Sequence, residues 1–179
     1  YFKDRFVCAN IKENLWYYFN EDIGGRWEIT EQGHRLRSRL SNEIVDLYAF
    51  YLNKYQEKAR LEEEESEFRQ IYDTRVANCG KVIVKLKDSS YKDKIMKECR
   101  EYFYDNKFCE KLDDQKHLIG FENGIYDLNK SVFRGGLPSD YVSLSTQLNL
   151  PVPKSMIPIG IDDILEIVKE VENYDELND

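Results

Sequence analysis

The chain has 179 residues, a formal charge of -8 and 41% hydrophobic residues, which suits one globular domain plus a short appendage, with enough apolar content for a core. No apolar run approaches the roughly 20 residues of a membrane-spanning helix, so a bilayer-embedded role is excluded. Tyr1-Phe2-Lys3-Asp4 shows neither an initiator methionine nor a signal-peptide stretch, and the sequence is expected to be a piece of a longer protein.

Leu15-Trp16-Tyr17-Tyr18-Phe19 and Arg26-Trp27-Glu28-Ile29-Thr30 are aromatic and β-branched, and the loop between them ends in Gly24-Gly25. This pattern predicts a hairpin. Helical spacing follows. Leu40, Ile44, Leu47, Tyr48, Tyr51, Leu52 and Tyr55 step by three and four, as one stripe of a long helix. Phe68, Tyr72, Val76, Cys79, Ile83 and Leu86 continue in the same way. Gly80 and the alternation of Val82, Val84 and Leu86 would permit a strand, but the helical spacing persists on both sides of Gly80 and favours a helix. Ser90-Tyr91-Lys92-Asp93 has the form of a capping box opening a further helix, with Ile95, Cys99, Tyr102 and Phe103 inward and an end near Asn106. The period then changes to two. His117–Phe121 reads as a strand, Glu122-Asn123-Gly124 as a turn, and 125–128 with 131–134 as a hairpin about Asn129-Lys130. All four prolines lie in the last 42 residues, making 135–160 a loop-rich connector, and Ile164, Leu165, Val168 and Val171 predict a final amphipathic helix with acids on its other face. The expected fold class is α+β, with central long helices flanked by small antiparallel hairpins. The expected division is 1–150 as the domain and 151–179 as a proline-containing connector and acidic helix.

The charge is unevenly spread. Residues 161–179 hold eight acids against Lys169 and net -7, which leaves -1 for residues 1–160. Arg75 to Arg100 carries eight bases and three acids, a local +5. Cys8, Cys79, Cys99 and Cys109 have no C-x-x-C spacing and only His34 and His117 as imidazole partners. A structural zinc site is poorly supported, and free thiols in a reducing intracellular setting are expected. No phosphate-loop motif is present: Gly80-Lys81 lacks both the leading glycine and the Ser/Thr, so ATP hydrolysis within this fragment is not expected.

Asp113, Asp114, His117, Glu122 and Asp127 are the most metal-like constellation, four carboxylates and an imidazole that a two-metal nuclease could use, a weak alternative, because turns recruit acids anyway. No metal ligand is assigned. Asn123-Gly124 is read as the pair that reaches positive φ in a tight turn. The candidate nucleic-acid contacts are Arg35, Arg37 and Arg39, following His34, and Lys81, Lys85, Lys87, Lys92, Lys94, Lys97 and Arg100. Phosphates need clustered cations, and single strands also need aromatic platforms. These basic segments suit a contact surface and an ordinary solvated surface equally well. Most of the tyrosines lie on helical apolar stripes, where core packing is the default.

Several separated motifs then occur in order: Phe6-Val7-Cys8-Ala9-Asn10, Asn14–Phe19, Arg26-Trp27-Glu28, Phe103-Tyr104-Asp105, Lys111-Leu112-Asp113, His117–Leu128 and Leu137-Pro138-x-Asp140-Tyr141. Over about residues 6–150 the chain resembles the domain preceding the superfamily 3 helicase in the poxvirus-type primase–helicases of large nucleocytoplasmic DNA viruses, related to regions of phage and plasmid primases. The resemblance implies a non-catalytic collar domain of a replicative helicase. It implies ATP and Mg²⁺ for the parent chain and no cofactor in this fragment. It also implies self-association in a hexameric ring, weak contact with single-stranded or forked DNA, other replication proteins as partners, and work at a viral replication site in the host cell. Gly120, Phe121, Asn123, Gly124, Tyr126 and Asp127 belong to the motif diagnostic of that family, read here as architectural. No catalytic residue is carried over. A second reading, from a different class, is a pure interaction module that assembles the replication machinery.

Overall fold

The computed structural model describes residues 1–151; the expected acidic helix lies outside the described residues. Three strands, β1 (Phe6–Asn10), β2 (Leu15–Asn20) and β3 (Arg26–Glu31), form an antiparallel sheet in the order β1-β2-β3. The predicted hairpin is therefore two strands of three. β1 is short and only partly alternating, and its outer edge is finished by a remote segment, where the Cys8 amide donates to Phe103 O at 2.9 Å and Asp105 N donates back to Cys8 O at 3.1 Å.

Alternation along β2 sends side chains to both faces of this sheet. Trp16 and Tyr18 join Phe6, Cys8, Leu36, Leu40 and Met96 in one core cluster; Phe19 joins Trp27 and Phe108 in a second. Trp16 and Phe108 are essentially inaccessible, and burying each aromatic stabilises the fold by about 2–3 kcal/mol relative to exposure.

Helices cover the first face. α1 (His34–Ser41) and α2 (Glu43–Leu61) meet at Asn42, so the single long helix expected from Leu40 onward is broken at its start. α3 (Glu67–Lys87) runs through Gly80 as a helix, which removes the strand alternative, and Ser66 Oγ caps it by accepting from Phe68 N. α4 (Ser89–Tyr102) is capped one residue earlier than its helix begins: Asp88 Oδ1 accepts from Tyr91 N at 2.7 Å, and Ser90 is already helical. A carboxylate at this position also suits the positive helix end, so Asp88 wins over Ser90. α4 stops at Tyr102, short of Asn106. Tyr102, expected inward, is 76% exposed: on this last turn it is the next residue, Phe103, that packs against the core.

After α5 (Phe108–Lys111), β4 (Leu118–Phe121), β5 (Gly124–Asp127) and β6 (Val132–Arg134) form a second antiparallel sheet. His117 falls just outside β4. Phe121 pairs with Gly124, so the connecting loop is Glu122-Asn123 and Gly124 already belongs to β5. Asn123 is not among the residues with positive φ. Gly124 answers to close packing instead: a Cβ there would lie 2.6 Å from the Phe133 ring and 2.7 Å from Arg134 O. A 3-10 turn at Pro138–Asp140 then leads into residues 141–150.

Candidate nucleic-acid interface

The motif Gly120–Asp127 is the joint between the two sheets. Arg26, buried on β3, donates through one guanidinium nitrogen to Phe121 O and through the other to Glu122 Oε1 at 3.2 Å. Ser145 donates to the same Glu122 oxygen at 2.5 Å. Asn123 makes both amide bonds to Leu150, donating to its carbonyl and accepting from its amide at 2.9 Å each. Asp127 accepts from the Asn129 and Lys130 amides and so closes the β5–β6 turn. Gly24 packs on the Glu122-Asn123 loop so tightly that a Cβ would sit 2.3 Å from Gly124 N. Tyr126, half-buried at mid-strand, pairs with Ile119 and Phe133. These positions hold the fold together, and their backbone groups are engaged within the chain.

The acids weighed as nuclease ligands are dispersed into such tasks. Asp113 accepts from Ser143 N and Oγ and from Leu144 N, Glu122 serves Arg26 and Ser145, and Asp127 serves its turn. Among the described residues no group of three metal-binding side chains converges.

Arg134 and Asp140 form a bidentate pair, 2.6 and 2.8 Å, with Asp140 7% exposed. Burial pushes the Asp140 carboxyl up, but the Arg134 hydrogen bonds and the Leu137 amide outweigh it and hold the group below its ordinary value. Hydrogen bonds from Lys111 to Asp105 and from Ser145 to Glu122 lower those two as well. Each has a folded pKa below its unfolded value near 4. The stability it adds is therefore intact above that value and drains away as the pH falls toward the lowered pKa. Melting temperature should stay level from about pH 8 to pH 5 and drop below about pH 4. Asp140→Asn should cost about 3 kcal/mol at neutral pH and make that acid loss shallower, because it leaves Arg134 without its partner. Thermal melts of both proteins across this range check the pair; an unchanged neutral-pH melting temperature would contradict it.

The basic residues divide sharply. Arg39 pairs with Glu43 at 3.2 Å and lies 5.6 Å over the Phe6 ring, and Arg35 lies 5.1 Å over Tyr18. Arg37 reaches across to α4, binding Asp93 at 2.5 Å and Ser89 Oγ at 2.9 Å. Lys92 Nζ returns the contact by donating to Ser41 Oγ at 2.8 Å. These bonds clamp α1 against α4. Between the two helices and the strand ends lies a groove of about 520 Å³ lined by His34, Arg37, Arg100, Asn14 and Gln32, with Glu31 and Asp93 as its acids. On α4 the groove is bordered by Asp93, Met96 and Arg100; Lys97 flanks that side of the helix, and Lys94 is turned away from it. None of Lys94, Lys97 and Arg100 forms an ion pair among the described residues. The segments at 34–39 and 92–100, far apart in sequence, thus meet across one groove of mixed charge.

Lys81 and Lys85 are elsewhere. They share an outward face of α3, where Lys85 lies 5.5 Å over the Tyr91 ring, and exposed Lys87 ends the helix. The tyrosines of the helical stripes are mutually engaged. Tyr51, Tyr55 and Tyr72 stack at 6.2 and 6.3 Å with Arg75 and Lys58 over Tyr55 and Tyr72, so their ring faces are already used. Sequence inspection missed the pairings of Arg26, whose partners are 95 and 96 residues away, and of Arg134 with Asp140, six residues apart at a spacing that belongs to no helix or strand pattern.

The chain matches the family described as D5 N terminal like over residues 1–164. It is 34% identical over 173 residues to a protein of Acanthamoeba polyphaga mimivirus named as a candidate helicase, L207/L206, covering 97% of this chain and 17% of that protein. A candidate helicase of frog virus 3 (isolate Goorha), 022R, is 26% identical over 190 residues, covering 88% of this chain and 19% of that protein. A third, 121R of invertebrate iridescent virus 3, is 34% identical over 82 residues, 46% of this chain and 9% of its own length. The chain spans less than a fifth of the length of these relatives.

Proposed function

This chain belongs to the D5 N terminal like family, and from that premise we propose that it is the non-catalytic collar module of a viral DNA primase–helicase, engaging DNA and aiding assembly of a hexameric ring at the viral replication site. The observation that carries the DNA half is the meeting of α1 and α4, which sets His34, Arg37 and Arg100 around one groove with exposed Lys97 on its flank. Arg100 and Lys97, unpaired among the described residues, would meet phosphates without reading bases, as a module that guides a strand toward a motor would need to. ATP turnover with Mg²⁺, and any primase activity, belong in this reading to other parts of the parent chain. Among the described residues no helix is long and apolar enough to cross a membrane.

Fluorescence anisotropy with a labelled single strand of about 20 nucleotides tests the reading. With roughly three phosphates neutralised, log K should fall with log salt at a slope near -2, and affinity should drop about fifteenfold between 50 and 200 mM salt. Absence of binding at low salt, or binding indifferent to salt, would remove the DNA half. A forked duplex measured alongside tells which nucleic-acid form is preferred.

A further inference from the structure

α2 and α3 form an antiparallel pair whose burial is thin: Val45 and Ala59 are the buried residues of α2, Cys79 and Leu86 those of α3. The end of the pair near α1 and α4 is anchored there, and the opposite end, around the 62–66 loop, carries exposed apolar side chains. Leu61 is 86% exposed, Phe68 62% and Ile71 45%. Large apolar groups left in water at the tip of a helical hairpin mark a surface meant to be covered.

The hairpin is also electrically polar. Residues 57–69, around the tip, hold six acids and three bases, while residues 81–100, at the other end of α3 and along α4, hold seven bases and three acids. α3 is 21 residues long, so about 30 Å separates the two ends. At the basic end there is an apolar patch of matching character. Val84 is 70% exposed and Tyr91 38%, with Lys81 and Lys85 beside them on the outward face of α3. One end offers apolar residues ringed by acids; the other offers apolar residues ringed by bases. Because the two patches lie on different parts of one molecule, a contact between them is heterologous and propagates head to tail, closing into a ring if the rotation permits.

We propose that the α2–α3 tip of one copy docks on the α3–α4 shoulder of a second copy, Leu61 and Phe68 meeting Val84 and Tyr91 while Glu62–Glu65 face Lys81 and Lys85. This inference rests on the collar reading above and names the surface by which the collar closes. It leaves the α1–α4 groove open, because the groove's lining on α4, Asp93, Met96 and Arg100, lies on the opposite side of that helix from Tyr91. Cations that looked like one basic stretch in the sequence thereby take two separate tasks.

Sedimentation velocity of the 179-residue chain tests it, at about 50 and 500 mM salt, since exposed charge pairs are screened at high ionic strength. The wild type should form dimers and larger species at low salt and weaken about tenfold at high salt. Glu62→Lys/Glu63→Lys/Glu64→Lys should be monomeric because its tip now repels its shoulder. Lys81→Glu/Lys85→Glu should be monomeric for the converse reason. Mixing the two variants restores complementarity at both contacts and should restore assembly, a result that simple misfolding cannot produce. Circular-dichroism melts of each variant should match the wild type. A wild type that stays monomeric at both salt concentrations, variants that assemble like the wild type, or a mixture that fails to assemble would each overturn the docking surface. Strand binding by the same two variants keeps the outcomes distinguishable: assembly lost with DNA binding kept bears on this surface alone, and DNA binding lost in the wild type bears on the groove.

Discussion

Gly120→Ala is expected to destabilise the protein by at least about 3 kcal/mol, with partial detachment of the second sheet. A Cβ at this position would stand 2.2 Å from Leu144 O and 3.1 Å from Val142 Cγ1, and the first of these is backbone that cannot rotate away. The segment 142–146 lies on β4 for a reason. Thr146 N donates to Gly120 O at 2.9 Å, and Asp113 holds the amides of Ser143 and Leu144 from the other side. Pushing it outward would strain three hydrogen bonds and release Ser145 from Glu122, and through Glu122 the grip of Arg26 on the hairpin. Urea unfolding measures the loss, and Gly135→Ala is the matched control, because a Cβ there meets nothing within 4 Å. Equal midpoints for the two variants would show that the glycine at 120 is not there for close packing.

The second large effect concerns the groove. Lys97→Glu/Arg100→Glu should weaken single-strand binding about tenfold or more and flatten its salt dependence, since two phosphate contacts are replaced by repulsion. Neither side chain has an ion-pair partner among the described residues, so the melting temperature should move little. Anisotropy under matched salt measures the change. Lys81→Glu/Lys85→Glu serves as the comparison of equal charge: it should leave strand affinity within about twofold while abolishing assembly. If both double variants lose DNA equally, the cations act as a diffuse field and the groove has no special standing.

The helices were legible because their signal is local. The stripe from Phe68 to Leu86 needs only neighbours three and four positions away, and it correctly outweighed the short alternation at 82–86. β2, β3 and the β4–β6 sheet were legible by period two for the same reason. β1 was not recognised, because its edge is completed by Phe103 and Asp105, nearly a hundred residues later. The cap of α4 was misplaced by two residues, since Asp88 and Ser90 are both good caps and only the surrounding turn chooses between them. Exposure at Phe68 and Tyr102 was misjudged because periodicity says which side of a helix is apolar and is silent on where the covering element ends.

The sequence by itself determined the α+β class, the order of the elements, the concentration of positive charge between residues 75 and 100, and the motif that identifies the family. Each is a property of residues close together in the chain, set by backbone geometry and side-chain period. The tertiary structure alone decided which cations share a surface. Arg37 meets Asp93 across 56 positions, which sets α1 and α4 around one groove while Lys81 and Lys85 stay on the outward face of α3, and Arg26 meets Phe121 across 95, which joins the two sheets. The physical reason is that charge acts through space. A run of lysines along a helix has a direction only once the helix has been packed, and α1, laid against α4, is what gives this one its two faces.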